Sequence, residues 1–335
     1  MNKVYYFVPR SDANGVKVIT QNLVNALKRR GITCVVTESL PEEKTQLVIP
    51  GGVKNGVRLI QDGVNTSSII LGDAITLGYK NKIKFYIKER HFFNKDFFYS
   101  LYGYFRYKRE EKLVVEHYDR IVLFSPVDIE YLKSLSGNSS CKYICIPNGA
   151  NLQEPIAYKR SNNNKVRVGI LSAWGDYQAF EENNWFIKKY WVKFHESHPE
   201  FELVLAGRGS QLNKIKNNHG ITVLGEVSEL SDFFESIDFF LTVNPKGCGI
   251  LNRVLDAMAY RVPIIGIDAS FSGFPDSDSI FVKFSDYKSF VSVMEYVAKP
   301  ETNLSGMVEA AYDYLLVNNN WEKNYDRLVE FIINE

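Results

Sequence analysis

The chain is short of cysteine and histidine, carries almost no net charge, and has no long apolar run. Its four cysteines, Cys34, Cys141, Cys145 and Cys248, show no paired zinc spacing, since Cys141-x3-Cys145 has no second half. Metal binding is therefore not expected, and the usage fits a reduced, cytoplasmic protein. Lys and Arg number 40 against 39 Asp and Glu, a net charge of +1 that argues against a general nucleic-acid binder. No segment approaches the roughly 20 uninterrupted apolar residues of a spanning helix. The start, Met1 to Pro9, reads as a first strand and not as a signal peptide. Any membrane contact is thus expected to be peripheral. At 335 residues, 45% apolar and 24% charged, the chain has the composition and length of two ordinary globular domains.

Both halves alternate strands and helices. In the first, strand 3–9 and the loop Arg10 to Gly15 precede residues 16–30, where Val16, Ile19, Leu23, Ala26 and Leu27 recur at helical spacing and Gly31 caps the end. Strands are expected at 33–36, 47–52, 120–125 and 143–149. Residues 150–165, with Ser161-Asn162-Asn163-Asn164 at the centre, form the best linker. The rhythm restarts with strand 166–172, a helix at 184–195, strands 201–206 and 222–224, and a helix at 229–236. This pattern predicts an α/β protein with parallel sheets covered on both faces. The expected domains are 1–155 and 156–312, with 313–335 as an amphipathic tail helix that either straps back onto the first domain or closes the second.

The most informative stretch runs from Gly247 to Ala259, between apolar strands at 238–243 and 262–267. A strand, a glycine turn, a helix and a second strand make one parallel βαβ unit, so the helix starts where open α/β sheets bind ligands. Its amide groups and positive dipole end suit an anion. Arg253 in the first turn adds a fixed cation, and Asp256, three residues on, puts a carboxylate one turn beyond, an order that suits a nucleoside diphosphate with its ribose toward Asp256. Read by spacing alone, the same residues also describe a plain glycine turn and a solvated Arg–Asp surface pair.

Taken together, Asn14-Gly15, Phe124-Ser125-Pro126, Pro147-Asn148-Gly149, Leu205 to Gly209, and Gly249 to Ala259 followed by Val262-Pro263-Ile264-Ile265 resemble glycosyltransferase family 4 over nearly the whole chain. The resemblance implies a GT-B fold of two Rossmann-like, doubly wound domains facing across a cleft. It implies a retaining, metal-independent transfer from a UDP- or GDP-sugar, with no cofactor, to a saccharide or lipid-linked saccharide in bacterial surface polysaccharide synthesis. On this reading Arg253 holds the diphosphate and supports catalysis, Asp256 binds the ribose, and Gly249, Ile250 and Leu251 cradle the phosphates. Asn252 supports the turn, Arg208 faces the diphosphate or base or is a rim arginine, and Gly225 and Val227 line the base pocket. Gly15 lets the first-domain loop approach the sugar, or is a plain turn glycine. Two positions depart from the family pattern: Asp256 stands for its usual glutamate, and Cys248 for the acid eight residues earlier. A thiol cannot replace a carboxylate as a double acceptor; either another group reads the sugar or the chain belongs to a subgroup lacking that acid. A sugar-nucleotide epimerase and a non-catalytic nucleotide-sugar-binding subunit are the alternatives.

On the acceptor side, Asp73 after an apolar strand is the candidate catalytic residue, with a helix N-cap as its alternative role; His91 is second, with a surface histidine as its alternative. Residues 79–109 hold nine Lys/Arg against Glu89 and Asp96, interleaved with twelve aromatics. Such a mixture suits an anionic lipid boundary, placing the protein on the inner membrane face. The alternative is an amphipathic helix pair covering the first sheet.

Overall fold

The computed structural model describes residues 3–8, 14–39, 47–64, 66–137, 140–152, 165–212, 219–247, 249–274 and 278–333. The chain divides into two compact units: Met1–Gly149 with Cys248–Ile250 and Asn318–Glu335, and Ala150–Gly247 with Leu251–Val317. Most of the linker foreseen at 150–165 lies outside the described residues, as does Cys248.

The first unit runs β1 (Lys3–Phe7), α1 (Asn14–Arg29), β2 (Thr33–Thr37), β3 (Leu47–Pro50), α2 (Val53–Gln61), β4 (Ser68–Gly72), α3 (Ile75–Lys88), α4 (Lys95–His117), β5 (Arg120–Leu123), α5 (Pro126–Lys133) and β6 (Lys142–Cys145). All pairings are parallel. Among the described residues the sheets β2-β1-β3 and β4-β5-β6 are joined by one parallel bridge, Gly51 to Ile70. Helix α1 buries Leu23, Ala26 and Leu27 and ends on Lys28 and Arg29, which oppose the negative end of its dipole. One expectation is corrected here. Gly15 lies in the first turn of α1, not in a loop, because the apolar repeat beginning at Val16 needs a helical turn ahead of it. Of the loop proper, residues 10–13 lie outside the described residues.

The second unit runs β7 (Val166–Leu171), α6 (Tyr177–Phe186), a π turn (Ile187–Trp191), α7 (Val192–Ser197), β8 (Phe201–Ala206), β9 (Ile221–Gly225), α8 (Leu230–Glu235), β10 (Phe239–Thr242), α9 (Asn252–Ala259), β11 (Ile264–Ile267), β12 (Val282–Phe284), α10 (Tyr287–Ala298) and α11 (Ser305–Asn318). Its six parallel strands take the order β12-β11-β10-β7-β8-β9. The helix expected at 184–195 starts earlier, because Asp176 caps it by accepting from Ala179 N at 2.9 Å. The π turn carries Ile187, Tyr190 and Trp191 into the core. There Phe186 meets Phe290 edge to face at 5.3 Å between ring centres, and Phe194 meets Phe290 at 5.1 Å. Edge-to-face pairs of this kind add about 1 kcal/mol each beyond the area they bury.

The last helix, α12 (Trp321–Ile333), belongs to the first unit. Tyr325, Leu328, Val329 and Ile332 are buried against the cluster that holds Val4, Leu23 and Leu27. Asn319 Nδ2 donates to Asn148 O at 2.6 Å and Asn324 Nδ2 to Pro147 O at 3.0 Å, so the returning chain secures Pro147-Asn148-Gly149. The surface pair between Arg29 and Asp326, at 2.6 Å, adds at most about 1 kcal/mol to this docking.

Candidate active site

In the second unit the strand order reverses between β7 and β10, and the carboxyl ends of two such strands open the crevice where doubly wound sheets hold ligands. Two loops form its rim. After β7, Trp174 Nε1 donates to Ala206 O at 2.8 Å and Gly175 N to Arg208 O at 3.1 Å, which clamps this loop to the end of β8. Gly207 permits the approach: its φ is 109°, and a Cβ there would lie 2.1 Å from Ser172 O. After β10, Asn244 N donates to Ser270 Oγ at 2.8 Å, and the chain enters α9 through Leu251, with no side chain capping the helix start. Two buried acceptors beside the switch point, Asn183 Oδ1 and Thr242 Oγ1, have no hydrogen-bond partner among the described residues.

Arg253 and Asp256 are both half-buried, on the side of α9 away from the core residues Val254, Leu255 and Met258. They do not pair with each other. Arg253 Nη2 makes a long 3.5 Å contact with Val243 O, and burial works against its charge while the Glu182 carboxylate supports it. Burial pushes the Asp256 carboxyl up to about 6, the opposite of what an arginine partner would do. The alternative of a solvated surface pair is thereby excluded. Lys246, on the same loop, is buried and lies 3.6 Å from the equally buried Glu182 of α6, which also accepts from Gln178. Two cations, Lys246 and Arg253, therefore face the buried Glu182 carboxylate at the switch point.

The remaining residues expected from the sequence are spread more widely. Arg208 is exposed, in the turn that follows β8. Gly225 ends β9, the edge strand, and Val227 is half-buried two residues on. Asn252 is the exposed first residue of α9, Leu251 takes the N-cap position, and Ile250 is half-buried. Gly249 has a φ of 63°, and a Cβ on it would fall 2.6 Å from Asp73 Oδ1, within the first unit. His91 is exposed between α3 and α4.

Asp73 follows β4 and is not the N-cap; Ala74 holds that position. The start of α3 is instead met by two buried carboxylates from other helices. Ala74 N donates to Asp128 Oδ1 at 3.1 Å, and Thr76 N donates to both oxygens of Glu111 at 3.3 Å. Burial, opposed in part by these hydrogen bonds, pushes both carboxyls up to about 7, and the Asp73 charge adds to the rise at Asp128. Asp73 is open to solvent, yet crowding by protein atoms still holds its carboxyl above the usual range. In the unfolded chain these acids ionise near pH 4. Folding therefore takes up protons between about pH 4 and 7, and stability falls as pH rises through that window. The melting temperature is expected to drop by several degrees between pH 5 and 8, and Glu111→Gln, which keeps an acceptor for Thr76, should flatten that slope. An unchanged slope would assign the effect to other groups.

Residues 169–299 match the family described as Glycosyl transferases group 1, a span from within β7 to just past α10. The matched residues lie within the second unit, Cys248–Ile250 aside, and make up less than half of the chain. No curated protein matches the chain in sequence. Among solved structures, Anabaena Alr3699/HepE in complex with UDP is similar with a TM-score of 0.66 at 10% identity, over 98% of this chain and 99% of that one. The lipopolysaccharide outer core galactosyltransferase WaaB is similar with a TM-score of 0.60 at 14% identity, over 98% and 99%. TarM is similar with a TM-score of 0.61 at 10% identity over 93% of this chain, which spans 58% of TarM's length. At these identities the likeness establishes the fold, which is GT-B with two Rossmann-like units.

Sequence reasoning singled out Arg253 and Asp256 but not Lys246 and Glu182. Lys246 was within reach, since it precedes Gly247 at the head of the motif. Glu182 was not, because nothing local marks which carboxylate of α6 turns toward the switch point. Asp128 and Glu111 were missed for the same reason: each caps a helix other than its own.

Proposed function

We propose that the chain transfers a sugar from a nucleoside-diphosphate donor to a saccharide acceptor, free or lipid-linked, with retention of anomeric configuration and without a metal. The observation that carries this reading is the half-buried Arg253 beside buried Lys246 at the uncapped start of α9, where the strand order reverses. As the bond between the anomeric carbon and the phosphate oxygen breaks, negative charge collects on the departing diphosphate. Arg253, Lys246 and the amide groups of the helix start are placed to stabilise it. Asp256, ionised above about pH 6, accepts from the ribose hydroxyls. In the first unit, Asp73 orients the acceptor hydroxyl, whose proton passes to the leaving phosphate.

The HepE structure in complex with UDP supports uracil as the base of the donor. WaaB, a lipopolysaccharide outer core galactosyltransferase, supports a role in bacterial surface polysaccharide assembly. A thermal-shift series with UDP, GDP and their sugars tests the donor. Ligand at 100 times its dissociation constant adds about 2.7 kcal/mol of stability. UDP is expected to raise the melting temperature, and release of UDP from its sugar is expected only with acceptor present. If no nucleoside diphosphate shifts the transition, the reading is wrong.

A further inference from the structure

Helix α4 carries an exposed aromatic stripe over its first half, in addition to the rings it packs inward. A surface helix of a soluble protein turns its apolar stripe inward. Here Ser100 and Gly103 are buried, and the partly buried Phe97 and Tyr107 pack on Tyr86 and Tyr79 of α3. Gly103 is required, because a Cβ would lie 2.4 Å from the Tyr79 ring of α3. The outward stripe, at helical spacing, is Phe98, Tyr99, Tyr102 and Phe105, exposed by 56 to 68%. Phe93, in the link to α3, is 95% exposed. So many bare aromatic rings on one hairpin mark an interaction surface.

Cations run through the same surface. Lys84, Lys88, Arg90, Lys95, Lys108 and Arg109 are exposed, and the acids nearby are few. Beyond the aromatic stripe a groove of about 860 Å³ opens between α4 and α2, with Tyr102 and Phe105 at its wall and Arg106, Arg109 and Lys112 along it. Arg106 pairs with Glu110 and Lys112 with Glu116, and Arg109 is left to face a partner's anions.

We propose that the α3–α4 hairpin docks on an anionic lipid bilayer. The rings of Phe93, Phe98, Tyr99, Tyr102 and Phe105 enter the headgroup boundary, while Lys88, Lys95 and Arg109 meet lipid phosphates. A protein partner would meet the rings at an interface core depleted of charge; here a cation recurs within a turn or two of nearly every ring, as an interfacial helix requires. The proposal gives the lipid-linked acceptor a surface on which to be met, but it rests on the hairpin alone and not on the donor site.

The test is sedimentation of the full chain with phosphatidylcholine vesicles, with and without phosphatidylserine. Binding is expected to the anionic vesicles at low salt, to weaken as salt rises, and to be slight with phosphatidylcholine alone. Replacing Lys88, Lys95 and Arg109 together by Gln should weaken anionic binding by about a hundredfold, at roughly fivefold per cation. Replacing Phe93, Phe98 and Tyr99 together by Ser should weaken it by about tenfold or more, since the apolar area of three exposed rings no longer enters the lipid. All six are exposed, so an unchanged melting temperature and unchanged nucleotide affinity are expected in both variants. Failure of the wild-type chain to sediment with anionic vesicles at low salt overturns the proposal. So does wild-type binding by both triple variants, whatever becomes of the donor site.

Discussion

Arg253→Ala is expected to weaken binding of UDP or its sugars by about a hundredfold or more, with loss of turnover to match. A guanidinium meets a phosphate through parallel charged hydrogen bonds, each contributing about 1.5–3 kcal/mol. Arg253 is held for that task by a backbone contact to Val243 and by the field of Glu182, and among the described residues it has no ion-pair partner to give up. Its loss also leaves Lys246 as the one remaining cation of the pair that faces Glu182. Arg253→Lys should fall between, since it keeps the charge but not the planar fork. Because burial disfavours the Arg253 charge in the free protein, the alanine variant should melt close to the wild-type temperature without ligand. Calorimetric titration with UDP separates these outcomes. Wild-type affinity in the alanine variant would place the diphosphate elsewhere.

Asp73→Asn is expected to lower turnover by about 10²-fold, the cost of a misplaced reacting group, while donor affinity stays within about twofold of the wild-type value. The change is nearly isosteric and removes only the charge, so a loss confined to turnover would separate acceptor orientation from donor binding. A second readout follows from the neighbouring carboxylate. The Asp73 charge helps hold the Asp128 carboxyl up at about 7, so the variant should titrate Asp128 at a lower pH, measurable by NMR on labelled protein. Wild-type turnover in Asp73→Asn would remove this residue from the mechanism.

The elements were largely legible because their signals are local. The period of α1, the strands β7 and β8, and the strand–turn–helix around Gly249 are written in neighbouring residues, and each forms within a residue or a few of its expected place. The helix capped by Asp176 began earlier than expected because the cap overrode a weak apolar period, and the π turn that follows carries Tyr190 and Trp191 into the core. Gly15 was misplaced because Asn-Gly reads equally as a turn and as a helix start.

Sequence alone determined the α/β class, the repeat of the βαβ rhythm, and the position of Arg253 and Asp256 at the head of a helix. It did not determine that these two stand apart, that Lys246 joins Arg253 over Glu182, that Asp128 and Glu111 cap a helix they do not belong to, or that α4 leaves a stripe of its rings exposed. Those are properties of neighbours brought together by folding. A charge is raised or lowered by what surrounds it, and a helix face is inside or outside only once another element has covered its opposite side.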